Sequence, residues 1–147
     1  MRSYTIISVG KQHDQLVAAG IAEYQKRLMR DVQLQWVFVE PSSIAKESAK
    51  IMQLLHEKDY VVVLDEIGQL ITTPALAKKL EQLNQQSARQ VVFVIGGAFG
   101  VEASVRSRAD FCWSLSPLVF PHQIVRLLLA EQLYRATTIL SGHPYHR

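Results

Sequence analysis

A chain of 147 residues with 48% hydrophobic and 20% charged content can bury a core as one domain, and this composition argues against disorder. Sixteen Lys/Arg against thirteen Asp/Glu leave a net charge of +3, a mild lean toward polyanions that falls far short of a basic nucleic-acid arm. A single cysteine, Cys112, excludes an internal disulfide and any multi-cysteine metal centre, and no run approaches the roughly 18 apolar residues of a membrane span.

Tyr4–Val9 is a short β-rich run closed by Gly10, a first strand. It follows directly on Met1-Arg2-Ser3 with no apolar region or small-residue cleavage site, so a cytoplasmic protein is expected. Asp14–Leu28 places Leu16, Val17, Gly20, Ile21, Tyr24 and Leu28 on one face of an amphipathic helix, with Glu23, Lys26 and Arg27 off it. Gln33–Val39 alternates as a second strand, stopped by Pro41. Pro41–Glu57 reads as a polar loop entering a helix with Ile51, Leu54 and Leu55 inward. Tyr60–Leu64 is continuously apolar, as a parallel strand buried on both faces must be.

Asp65-Glu66-Ile67-Gly68 is expected to turn. Thr73-Pro74 has the grammar of a helix start, the hydroxyl capping and the proline at the first helical position, and that helix runs to about Gln86. Gln90–Ile95 is the next buried strand, Val101–Arg108 a short helix, Phe111–Leu115 the last strand and His122–Leu140 the last helix. Strands alternating with helices imply a parallel α/β sheet covered by helices. Ligands in such sheets sit beyond the carboxyl ends of the strands, so Leu64-Asp65-Glu66, Gly96–Gly100 and Leu115–Phe120 become candidate site walls.

Gly96-Gly97-Ala98-Phe99-Gly100 allows close backbone approach to a ligand, but its spacing fits neither a dinucleotide fingerprint nor a P-loop. A tight turn with close packing reads equally well. Leu115–Pro121 is an apolar connection bracketed by prolines, suited to sandwiching a flat ligand such as an adenine ring or to packing under another subunit. Cys112 lies in an apolar stretch and reads as a structural thiol rather than a nucleophile.

In the last helix Val125, Leu128, Leu129, Leu133, Ala136, Ile139 and Leu140 form one apolar stripe, and Leu127, Ala130 and Tyr134 a second. Arg126/Thr137 and Glu131/Arg135/Thr138 separate them. Two stripes suggest the core on one side and a twofold partner on the other, hence a homodimer. Glu131 and Arg135 are spaced for an intrahelical ion pair. The tail His143-Pro144-Tyr145-His146-Arg147 concentrates stacking, hydrogen-bonding and cationic groups past the helix-ending Gly142. Such groups suit unstacked RNA bases and phosphates, although termini commonly fray. His143 and His146 are too few for a metal site without a carboxylate partner.

Ile95-Gly96-Gly97, Trp113-Ser114-Leu115-Ser116, Phe120-Pro121-His122, Val125-Arg126, Glu131-Gln132-Leu133-Tyr134-Arg135-Ala136 and Tyr145-His146-Arg147 together closely resemble the ribosomal RNA large subunit methyltransferase H family of the SPOUT superfamily. The resemblance implies a single α/β domain over residues 1–147, a parallel sheet flanked by helices with a C-terminal trefoil knot, which is rare among folds. It also implies a homodimer that uses S-adenosylmethionine, without a metal, to methylate N3 of a pseudouridine in the helix 69 loop of 23S rRNA in the assembled ribosome. By motif match the cofactor contacts are Leu64, Gly96, Leu115, Ser116, Pro117, Leu118, Val119 and Phe120. His122, Glu131 and Arg135 match positions associated with methyl transfer, and Tyr145, His146 and Arg147 with RNA binding. Some relatives carry Pro-Glu where this chain has Ala98-Phe99, so no chemistry is assigned to Phe99.

Overall fold

A computed structural model describes residues 2–86 and 89–147. The elements follow as β1 (Arg2–Val9), α1 (Gln15–Leu28), β2 (Val32–Val39), α2 (Ile44–Leu54), β3 (Tyr60–Leu70), α3 (Thr73–Asn84), β4 (Val91–Ile95), α4 (Ala103–Arg108), β5 (Phe111–Ser114) and α5 (His122–Ser141). The strands form one five-stranded parallel sheet in the order β2-β1-β4-β3-β5.

The alternating faces of these strands bury two cores. Tyr4, Ile6, Val62, Val91, Phe93 and Ile95 pack against Leu28 of α1, Leu76 and Leu80 of α3, and Leu129, Leu133 and Ala136 of α5. On the opposite face Ile7, Val9, Val61, Val63, Val92 and Val94 meet Ile51 of α2 and Val105 of α4. Every residue of β4 is buried, which explains its unbroken apolar run. Helices α1 and α3 carry the chain one way across the sheet on one face. Helices α2 and α4 carry it back on the other, as right-handed parallel crossovers require.

Four expectations change. First, Asp65–Gly68 does not end its strand: Trp113 of β5 pairs with both Leu64 and Gln69, so the four residues between bulge out and β3 resumes to Leu70. Gly68 permits this because a Cβ there would lie 2.7 Å from the Cys112 carbonyl oxygen. Second, the cap of α3 is Thr72, whose hydroxyl accepts from the Ala75 N–H at 3.2 Å. Thr73 is already helical and donates its hydroxyl to Gln132 Oε1 at 2.8 Å, tying α3 to α5. Third, Leu16 is 82% exposed rather than on the buried face of α1.

The fourth concerns α5. Residues of the second stripe already have neighbours within the chain, because the helix lies between α1 and α3: Leu127 sits over Gly20 of α1, and Ala130 is wholly buried, whereas Leu140 at the end of the first stripe is exposed. The second stripe is therefore not evidence for a partner subunit. Arg126, read as a polar divider, is 0% exposed.

Candidate active site

The carboxyl ends of β3, β4 and β5 open into a cavity of about 810 Å³. Its walls are the β3 bulge (Leu64–Ile67), the glycine turn (Gly96–Val101) and the β5 exit (Leu115, Ser116 and Leu118–Pro121). His122 and Val125 of α5 close one side and Trp113 forms part of the base. The three strand exits expected to form the site therefore meet. Of the eight residues matched to cofactor binding, seven line the cavity, and Pro117 shares their loop without lining it.

Each wall has a local cause. A Cβ on Gly96 would lie 2.9 Å from the Gly100 carbonyl carbon, so the turn closes on itself only with glycine there. Gly100 N–H donates to Gly97 O at 3.0 Å to seal it, with Gly100 at φ +77°. The β5 exit is held by two serines. Ser114 Oγ lies 3.0 Å from Glu66 O and 2.9 Å from Ser116 O, joining the bulge to the exit loop, and Ser116 Oγ accepts from the Leu118 N–H at 3.0 Å. Leu118 and Val119 then stand 69% and 73% exposed.

Apolar side chains, looped backbone and a few polar groups (Asp65, Glu66, Arg106, His122) suit a flat heterocycle with a polar, cationic remainder. The apolar side chains of Leu64, Leu115 and Phe120 offer a surface for a flat ring, and the Asp65 and Glu66 carboxylates would attract a cationic group. Arg106 is anchored by donating to the Val101 carbonyl at 2.6 Å. Its place in the site follows from the turn that α4 makes behind the glycine loop, which no local pattern displays.

The first turns of α5 are fastened to the β1–α1 connection. Gln123 Oε1 accepts from the Asp14 N–H at 3.0 Å. Arg126 donates Nε to Ser8 Oγ at 2.7 Å, Nη1 to Lys11 O at 2.9 Å and Nη2 to Val9 O at 3.3 Å. Its Nη1 also lies 3.3 Å from His13 Nδ1. The guanidinium stands over the Phe38 ring at 4.9 Å. Burial lowers its pKa, Asp14 opposes the shift, and no ion pair to Arg126 occurs among the described residues. Gly10 fits between these groups: a Cβ there would lie 2.9 Å from Arg126 Nη2 and 3.3 Å from His122 Nε2.

The remaining expected residues form a second cluster. Arg135 Nε donates to Glu131 Oε1 at 2.7 Å, its Nη1 reaches His146 Nδ1 at 3.3 Å, and its guanidinium lies 4.7 Å from the Tyr145 ring centroid. Gly142 in the left-handed conformation (φ 75°) reverses the chain, and the His143 N–H donates to Thr138 O at 2.9 Å. The tail is thereby folded back onto α5, with Tyr145 against Tyr134 at 4.7 Å. Arg147 remains exposed. At 1.5 Å per residue, Glu131 and Arg135 lie about 14 and 20 Å along α5 from His122. One chain therefore does not bring its three matched catalytic residues together.

Among the described residues no group of His, Cys, Asp and Glu is arranged to hold a metal ion, and no helix is long and apolar enough to cross a membrane. Cys112 is partly buried, and burial followed by the nearby Asp65 carboxylate raises its pKa, the opposite of what a nucleophilic thiol needs.

Residues 2–146 match the family model described as "Predicted SPOUT methyltransferase". Proteins named ribosomal RNA large subunit methyltransferase H align over nearly their whole length. That of Laribacter hongkongensis is 42% identical with 97% of each chain covered. That of Hahella chejuensis is 41% identical, again over 97% of each. That of Xylella fastidiosa is 40% identical over 100% of this chain and 99% of its own. The family match over residues 2–146 and identities of this size across nearly the whole chain lead to one conclusion: the chain belongs to the ribosomal RNA large subunit methyltransferase H family of SPOUT methyltransferases.

Proposed function

We propose that this protein is an S-adenosylmethionine-dependent methyltransferase acting on N3 of a pseudouridine in the helix 69 loop of 23S rRNA, within the assembled ribosome. The observation that carries the reading is the convergence of three strand exits on one cavity, in a chain of this family. As an rRNA enzyme it would work in the cytoplasm.

The adenine would lie against Leu64, Leu115 and Phe120, held by backbone groups of Gly96 and the 115–120 loop, with Asp65 or Glu66 facing the cationic end. When bound, S-adenosylmethionine supplies an electrophilic methyl group on a sulfonium. The protein's work is positioning, because in-line placement removes most of the entropic cost of the encounter. The N3 proton must leave as the ring nitrogen attacks, and His122, at the cavity wall, or Glu131 orients or accepts it. Arg135 supplies positive charge toward the ring oxygens, on which negative charge builds.

The separation of His122 from Glu131 and Arg135 supports a homodimer in which the tail cluster of one subunit completes the cavity of the other. The exposed rim residues Phe99, Leu118 and Val119 are suitable surface for that contact. A trefoil knot belongs to the same proposal. The 115–121 connection leaves the edge strand β5 and must cross the β3 and β4 ends before α5 packs between α1 and α3, a path that suits threading.

The test is tritiated methyl transfer to intact ribosomes, free 23S rRNA and tRNA in parallel. Label is expected in ribosomal large-subunit RNA, and label in tRNA alone would overturn the reading. Single-turnover rates of His122→Ala and Glu131→Gln test the proton step. If both bind cofactor normally and keep full rate, that assignment is wrong.

A further inference from the structure

We infer that Glu47 and Ser48 of α2 are positioning residues for the cofactor: from behind the cavity they set the backbone of the glycine turn. The inference rests on the functional reading above and adds to it two residues that belong to none of the three strand exits.

The inward face of α2 changes character along its length. Ile51 is wholly buried in the core with Val61, Val63 and Val94, as the face of a helix on a parallel sheet should be. One turn earlier the same face carries Glu47 and Ser48, which are only 8% and 1% exposed. A buried carboxylate and a buried hydroxyl cost free energy unless they are hydrogen-bonded. What lies opposite explains the change, because these two side chains meet the backbone of residues 97–102 rather than strand side chains.

Ser48 Oγ accepts the Glu102 N–H at 3.0 Å, across 54 positions of sequence. Glu102 caps α4, so this bond also fixes where the helix that carries Arg106 begins. Glu47 acts at the other end of the turn. A Cβ built on Gly97 would lie 3.0 Å from Glu47 Oε1 and 3.4 Å from Oε2, so the Gly97 backbone rests directly against the carboxylate. Val9 Cγ1, at 3.1 Å from the same point, completes the seat. The carboxylate is itself held, because Oε2 accepts the Ser42 N–H at 2.9 Å. No ion pair to Glu47 occurs among the described residues.

Gly97, Gly100 and Val101 line the cavity, whereas neither Glu47 nor Ser48 does. The turn's own bond, from Gly100 N–H to Gly97 O, closes the loop without fixing where the loop sits against the sheet. Two contacts from one helix fix it. A ligand gripped through backbone groups binds well only when those groups are already in place, since ordering them on binding subtracts from affinity.

Calorimetric titration with S-adenosylmethionine and hydrogen exchange of single amides, read by NMR without ligand, test this on the full-length protein. Glu47→Ala and Ser48→Ala should each weaken cofactor binding about ten-fold. Glu47→Gln keeps the shape and an acceptor for Ser42 and should stay within about three-fold of wild type. The Glu102 amide in Ser48→Ala, and the Gly100 amide in Glu47→Ala, should exchange about ten-fold faster, while Val92 and Val94 of β4 keep their protection. Unchanged affinity in either alanine variant, or affinity lost only together with the β4 protection, would overturn the inference. A loss in Glu47→Gln equal to that in Glu47→Ala would overturn the role of Glu47. Wild-type protein that takes up no S-adenosylmethionine would instead overturn the functional reading and the link to the cofactor, and the exchange rates would still decide whether α2 holds the turn.

Discussion

Arg126 donates Nε to the hydroxyl of Ser8 at 2.7 Å, joining two residues 118 positions apart at the junction of β1 and α5. The contact pins the start of α5, and with it His122, to the first strand, although the guanidinium has no carboxylate in an ion pair with it among the described residues.

A buried cation held only by neutral acceptors is costly to keep and depends on its fork geometry. Arg126→Lys retains the charge but cannot span Ser8 Oγ, Val9 O and Lys11 O at once. It should cost about 3 kcal/mol, whereas Arg126→Met, which removes the charge, should cost roughly half as much. Urea unfolding of the two variants gives the comparison, and a lysine variant as stable as the methionine one would contradict it.

His13 stands edge-on to Trp36 at 4.4 Å and to Phe38 at 5.3 Å, beside Arg126. Burial first, and the Arg126 charge second, lower its pKa from the ordinary 6.5. The folded state therefore binds fewer protons than the unfolded state just below that value. The His13 contribution is complete above about pH 6.5 and is lost as pH falls through the lower folded value. The urea midpoint should decline on acidification from pH 7.5 to 5.5, and His13→Gln should flatten that slope.

Gly96 and Gly100 should respond differently to alanine. At Gly96 the added Cβ meets backbone at 2.9 Å, so the turn must move and cofactor affinity should drop about ten-fold, or 1.4 kcal/mol. At Gly100 the space is open but φ is +77°, so Gly100→Ala should cost roughly 1 kcal/mol of stability with a smaller binding loss. Calorimetric titration with S-adenosylmethionine, alongside thermal unfolding, separates the two effects.

The Cys112 thiol, raised by burial and by Asp65, should react with iodoacetamide several-fold more slowly at pH 8 than free cysteine. Cys112→Ser should leave methyl transfer near the wild-type rate.

Much of the architecture is local in origin and was legible for that reason. Buried parallel strands need unbroken apolar runs such as Val91–Ile95, and the helices show their faces at the 3.6-residue period. The glycine turn and the proline-bracketed loop marked two walls of the cavity by residue type alone. The bulge at Asp65–Gly68 was not legible. It depends on Trp113 pairing twice with β3 and on Gly68 resting against the Cys112 carbonyl, contacts made only once β5 is in place. Local sequence does not separate Thr72 from Thr73 as the cap of α3, because the two are chemically identical and Gln132, which engages Thr73, lies on α5.

The sequence by itself determined the alternation of strand and helix, the parallel sheet, the three strand exits and the family motifs, because backbone propensity and burial period are carried by neighbouring residues. Tertiary structure alone decided that the second stripe of α5 meets α1 within the chain, that Arg126 is core, and that His146 lies beside Arg135. It also set His122 about 14 and 20 Å along the helix from Glu131 and Arg135. Helical periodicity states which residues share a face, but the packing of other elements against that face is a long-range property.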